Sequence, residues 1–147
     1  YVYMELSEIR KSVEKDMPID DTELDIASMA IPQLHNKYLN IYLDEKLVLQ
    51  KLNSDYYGLK RIKWEYYTGK LDQTQLEEYG WEQFPLKILK QDIDLYMNSD
   101  KELQKLSDRV AYQKEKISYL DAILKSINNR QWNIRSAIDW RKFINGQ

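Results

Sequence analysis

Residues 24–66, LDIASMAIPQLHNKYLNIYLDEKLVLQKLNSDYYGLKRIKWEY, decide the fold. Alternating steps of three and four from Leu24 land on Ala27, Ile31, Leu34, Tyr38, Ile41, Glu45, Val48, Leu52, Asp55, Leu59, Ile62 and Tyr66. Only Glu45 and Asp55 interrupt this apolar heptad stripe, which predicts a long helix. Unbroken, its 42 steps would extend roughly 63 Å at about 1.5 Å per residue. Pro32 is expected to kink or restart the helix near its beginning, and Gly58 weakens it by about 1 kcal/mol relative to Ala. Gly69, in Thr68-Gly69-Lys70, suits a left-handed cap that ends it.

A second stripe runs through Leu103, Leu106, Val110, Gln113, Ile117, Leu120, Leu124, Ile127, Gln131, Ile134 and Ile138. Ser99 and Glu102 have the spacing of a capping box at its start, and Asn128-Asn129 is its weak point. Upstream, Leu6, Ile9 and Val13 predict a short amphipathic helix over residues 4–15, stopped by Asp16-Met17-Pro18-Ile19. Asp20 and Glu23 resemble a capping box for the long helix. Leu71–Gly80 reads as a polar loop or helical turn, and residues 81–97 contain the one stretch that suits a short irregular or extended segment. The fold class is all-α, mainly long heptad-patterned helices. The organisation expected is an N-terminal helical region, residues 1–98, and a C-terminal helical region, residues 99–147.

The final stretch, RQWNIRSAIDWRKFINGQ (residues 130–147), spreads Trp132, Ile134, Ile138, Trp140 and Phe143 around one short helix. With Ile127 just before it, this is more apolar surface than one neighbour covers. We expect it to be an oligomerisation segment clamped between several partners.

Composition narrows the chemistry. The chain has 147 residues, 31% of them charged, no cysteine and one histidine. Disulfides and thiolate metal sites are ruled out, and no apolar run approaches the length of a membrane span. The first fifteen residues lack the basic start and apolar stretch of a signal peptide. No phosphate-binding GxxxxGK[ST] loop, HExxH or Ser-His-acid set is present. His35 reads as a surface or packing residue, and the Asp20-Asp21 and Asp92/Asp94 pairs as turn and cap residues. Neither an enzyme nor a metal or cofactor site is expected.

Charge is unevenly spread over a net formal value of -2. Glu5–Asp25 holds eight acids against three bases, Tyr56–Lys70 four cations against Glu65, and Lys125–Lys142 five cations against Asp139. The middle zone, YYGLKRIKWEYYTG (residues 56–69), interleaves Lys60, Arg61 and Lys63 with Trp64, Tyr67 and three further tyrosines. Cations among ring faces are what single-stranded nucleic acid binding needs. Rings on a helix are also ordinary core or interface material, and Tyr66 sits on the stripe itself. Arg130, Arg135, Arg141 and Lys142 either extend the basic surface or pair with the acidic N-terminal helix of a neighbouring subunit. A coiled-coil scaffold with no nucleic acid role is the competing reading of both stripes.

Several segments resemble the UvsY family of phage recombination mediators. Lys15-Asp16-Met17-Pro18-Ile19-Asp20 with Thr22 and Leu24 follows the family's Lys-Asp-x-x-Ile-Asp-x-Thr-x-Leu opening. Lys37-Tyr38-Leu39-Asn40 is similar to its Lys-Trp-Leu-Asn, and Leu120-Asp121-Ala122-Ile123 to its Leu-Asp-Ala-Ile. Arg61 and Lys63 followed by Tyr66-Tyr67-Thr68-Gly69 resembles a basic-x-basic pair before Tyr-Tyr-Ser-Gly, with the two cations swapped. Asp139, Arg141, Phe143 and Gly146 repeat the terminal pattern, whereas Lys70-Leu71-Asp72 departs from the family's basic, glycine-rich continuation. The resemblance implies a non-enzymatic protein that binds single-stranded DNA. Within the basic zone, Lys60, Arg61 and Lys63 are expected at phosphates, and Trp64 and Tyr67 at stacking or packing positions. The resemblance further implies phage recombinase and phage single-strand binding protein as partners, in the cytoplasm of the infected host cell. A closed homo-oligomer, a hexameric or heptameric ring assembled through the C-terminal region, is implied as well.

Overall fold

The computed structural model describes residues 4–146. Six α-helices occur among them: α1 (Leu6–Asp16), α2 (Leu24–Met29), α3 (Ile31–Tyr67), α4 (Gln73–Tyr79), α5 (Ile93–Asn98) and α6 (Lys101–Ile144). A 3-10 turn, Lys90–Asp92, leads into α5, and the described residues include no strand. Of the span 81–97 read as irregular or extended, residues 81–89 are irregular and none is a strand, but residues 90–97 are helical, belonging to the 3-10 turn and α5. No helix is long and apolar enough to cross a membrane among the described residues.

Local chemistry accounts for the helix ends. The α3 helix restarts at Ile31 after Ala30, with Pro32 in its first turn. There the missing N–H removes no intrahelical bond, because the first N–H groups of a helix have no partner. Gly58 does not interrupt α3, and Gly69 takes the left-handed conformation (φ 73°) just beyond its end. Two expected caps are shifted. Asp20 Oδ1 accepts from the Thr22 N–H at 2.9 Å and its hydroxyl at 2.6 Å, closing a tight turn ahead of α2 instead of a box with Glu23. Asp100, not Ser99, caps α6 by accepting from the Leu103 N–H at 3.0 Å, while the Ser99 hydroxyl turns back to the Leu95 carbonyl at 2.9 Å. Asp72 and Gln75 form a reciprocal capping box on α4, a helical turn within the polar stretch. Across Asn128-Asn129 α6 is unbroken: both amides face solvent while Ile127 and Arg130 on either side are buried.

The chain forms two compact units. One comprises residues 1–48 and 113–147, and its core is Ile9 and Val13 of α1, Tyr38 of α3, and Leu120, Leu124 and Ile127 of α6. Eleven residues are too few for a stable isolated helix, so α1 depends on this docking. Burying Ile9 and Val13 contributes about 1.5–3 kcal/mol each. The Tyr38 hydroxyl lies 2.9 Å from Asp16 and 3.0 Å from Ser12, and Arg130 donates to the Met17 carbonyl at 2.6 Å. One polar interruption from each stripe meets the other here. Gln113 Nε2 donates to Glu45 Oε2 at 2.7 Å and to its carbonyl at 2.8 Å, and Lys116 Nζ lies 3.3 Å from Oε2. All three side chains are buried.

The other unit, residues 49–112, contains the end of α3, helices α4 and α5, the irregular segment and the start of α6. Leu52, Leu76, Met97, Leu103 and Val110 are its buried apolar residues.

Candidate nucleic-acid interface

The last three turns of α3 present two chemically different faces. Tyr57, Arg61 and Trp64 recur at i, i+4 and i+7, so with Lys60 they share one side of the helix. All four are exposed, Tyr57 at 66% and Trp64 at 38%. Arg61 pairs with Glu65 in the next turn at 3.8 Å, an exposed ion pair worth a few tenths of a kcal/mol. Lys70, just past the helix end, holds its ammonium 4.1 Å from the Trp64 ring centroid. Lys60 lies 6.0 Å from the Tyr56 ring.

The other side chains of these turns pack within the protein. Lys63 is 5% exposed, with Nζ 3.2 Å from Asp100 Oδ2, 3.5 Å from Glu102 Oε1 and 4.1 Å from the Trp81 ring centroid. Tyr67 donates to Asp100 Oδ2 at 2.6 Å, and Tyr66 to the Glu82 carbonyl at 2.6 Å. Their rings pack with Trp81, Phe84 and Tyr96 at centroid separations between 5.0 and 6.1 Å, an edge-rich aromatic cluster. Burial alone pushes the Asp100 carboxyl up, but bonds from Tyr67, the Leu103 N–H and Lys63 outweigh it and hold the group below the usual aspartate range. Burial and the neighbouring Asp100 raise the Tyr67 phenol.

Of the five residues read from sequence as DNA contacts, the structure therefore exposes Lys60, Arg61 and Trp64 together and turns Lys63 and Tyr67 inward. Sequence reasoning placed Tyr57 and Lys70 in the basic, ring-bearing zone without singling them out as contacts. The i−7 spacing of Tyr57 from Trp64, opposite the apolar stripe, was the signal available for it. The acids that draw Lys63 inward, Asp100 and Glu102, stand far along the chain at the start of α6, where no local pattern links them to it.

The six residues expected to drive assembly divide as well. Ile127 and Ile134 are buried within the chain, Ile138 is half-buried, and Trp132, Trp140 and Phe143 are exposed together with Ile144. Trp140 and Phe143 stack on one another at 5.7 Å, while Arg141 reaches Asp21 at 3.4 Å.

Fold and site define an all-helical protein with an exposed cation- and ring-bearing helix face and an exposed apolar helix end. The family described as "Recombination, repair and ssDNA binding protein UvsY" matches residues 12–147, and the chain belongs to it. It is 22% identical over 144 residues to the recombination protein uvsY of Enterobacteria phage T4, covering 98% of this chain and all of the relative. Two crystal structures of the bacteriophage T4 recombination mediator protein UvsY share its fold at 21% identity, with TM-scores of 0.84 and 0.85. They cover 95% and 97% of this chain and 99% of their own.

Proposed function

We propose that this protein is a recombination mediator. It binds single-stranded DNA, weakens the hold of the phage single-strand binding protein and promotes loading of the phage recombinase filament, without itself catalysing a reaction. It acts in the cytoplasm of the infected host cell. The observation that carries the reading is the exposed Tyr57–Lys60–Arg61–Trp64 face in a chain of this family. Cations there neutralise phosphates, and the two rings offer stacking surfaces to bases.

Assembly into a homo-oligomeric ring of six or seven subunits fits the same reading. Trp132, Trp140, Phe143 and Ile144 are the apolar surface it would cover, with Ile127, Ile134 and Ile138 seating the helix that carries them. Repetition of a modest DNA-binding face around a ring raises overall affinity by avidity. The scaffold alternative loses its main support, because both heptad stripes find partners within the chain where Glu45 meets Gln113.

Titrating labelled oligothymidylate across a salt series tests DNA binding. Log K is expected to fall linearly with log salt, by about 0.7 per phosphate neutralised. Absence of binding at low salt would overturn the reading. Filament assembly by the recombinase on strands coated with binding protein is expected to accelerate when this protein is added. Sedimentation should give a closed oligomer for the full chain and monomers for a chain ending before Arg130.

A further inference from the structure

We propose that the cavity beside the end of α3 is a second nucleotide-binding element, taking a base of the bound strand while Lys87 and Lys90 hold its phosphates; this rests on the DNA-binding reading above. The cavity encloses about 600 Å³. That is within the range of small-molecule pockets, roughly 300–1,000 Å³, and ample for a nucleobase. Its apolar walls include Tyr67, Phe84, Pro85 and Ile88, flat or branched surfaces suited to a ring. The charged groups lining it are Lys87 and Lys90 alone. Both are exposed, and among the described residues neither is ion-paired.

The backbone there favours an anion too. Residues 83–88 have no regular structure, and among the described residues the N–H groups of Gln83, Phe84, Leu86, Lys87 and Ile88 have no protein acceptor. Gly69, on the rim, has open space where a Cβ would project, so a strand can approach the chain closely. Gly69 is the lining residue next to Lys70, the cation that reaches the exposed face of α3. Lys70 lies over the Trp64 ring, which links Lys60, Arg61 and Trp64 to the cavity mouth. A polyanion with flat, detachable rings fits this arrangement: one strand runs along α3 and turns a base into the cavity.

The test compares the full-length protein with its Lys87→Ala/Lys90→Ala variant on oligothymidylate. Both lysines are exposed, so the urea midpoint should not move. The salt slope is expected to drop by about 1.4, at about 0.7 for each of the two phosphates no longer neutralised. Photocrosslinking with an oligonucleotide carrying 5-iodouracil should attach to the peptide containing Phe84 as well as to that containing Trp64. An unchanged salt slope, or adducts confined to the Trp64 peptide, overturns the cavity assignment and leaves the α3 face standing. Failure of the unaltered protein to bind the oligonucleotide at all overturns both.

Discussion

Two lysines on the inner sides of the long helices have the same chemistry and different surroundings. Lys116 is wholly enclosed with Glu45 and Gln113, and the Glu45 carboxylate also accepts from the Met4 N–H at 2.9 Å. Lys63 is nearly as buried, but one of its acids, Glu102, remains 57% exposed, and an aromatic cluster rather than aliphatic core surrounds it. Among the described residues no buried side-chain polar atom lacks a partner, so both clusters are satisfied. A satisfied buried ion pair adds little net stability compared with apolar packing, whereas a half of one is costly. The first cluster therefore acts on register: it lets α3 and α6 pair in one alignment, since any slip strands a charge. The second acts on position, holding the end of α3 so that Arg61 and Trp64 face outward.

Breaking the first cluster should have the largest effect. Glu45→Ala leaves Lys116 charged and buried, and is expected to lower unfolding free energy by about 3–5 kcal/mol in urea titrations. Replacing all three members, Glu45→Leu, Gln113→Leu and Lys116→Met, should recover most of that loss. If the triple variant is as unstable as the single, the cluster contributes attraction rather than alignment, and the contrast with Lys63 collapses.

Asp100→Asn comes next, at about 2–3 kcal/mol, because it weakens the cap on Leu103 and unpairs Lys63. The pH dependence separates the ionic part. The Asp100 carboxyl is held below the ordinary aspartate value, so its contribution is complete above that value and fades as pH falls through the depressed folded one. Asp16 behaves alike, its carboxyl lowered chiefly by the bond from Lys37. The unaltered protein should thus lose stability in acid more steeply than Asp100→Asn. Parallel acid profiles would mean that the Asp100 charge does not hold the end of α3.

These two clusters also mark where sequence stops being informative. Period reveals helices, so both stripes were legible, and Glu45 and Gln113 stood out as breaks in them. That the breaks meet is a matter of pairing between distant helices, which no local pattern encodes. Pro32 and Gly69 were legible because their backbone chemistry is local. Asp100 displaced Ser99 as cap by one position, since both residues have the required side chain and only tertiary contacts choose. The Asp72/Gln75 box was present in the sequence but lay in a stretch with too few apolar residues to decide between a loop and the helical turn that forms. Lys63 and Arg61 look equivalent two positions apart, yet two positions on a helix is a turn of about 200°, enough to send one inward and the other out.

That last difference can be sharpened directly. Arg61→Ala should reduce the salt slope of oligonucleotide binding by about 0.7 while leaving stability within about 0.5 kcal/mol. Lys63→Met should do the reverse, moving the urea midpoint and leaving the slope unchanged wherever the protein is folded. Equal loss of slope in both would mean that Lys63 leaves its acids to meet phosphate. Trp64→Ala, tested at high salt where phosphate contacts weaken, should cost about 1–3 kcal/mol of binding if its free face stacks on a base.

The smallest effect expected comes from Gly58, one residue along from Tyr57. Glycine in the middle of a helix carries an entropic cost, and nothing lies within 4 Å of the position a Cβ would take. Gly58→Ala should therefore stabilise the protein by about 0.5–1 kcal/mol. Gly58 sits about 100° around α3 from Tyr57, at the edge of the face formed by Tyr57, Arg61 and Trp64. A methyl group there should leave oligonucleotide affinity within about twofold, because that face binds through side chains rather than through backbone approach. A stabilised variant that binds markedly less well would reveal a strand lying against the helix backbone itself, and would move the DNA path toward Gly58.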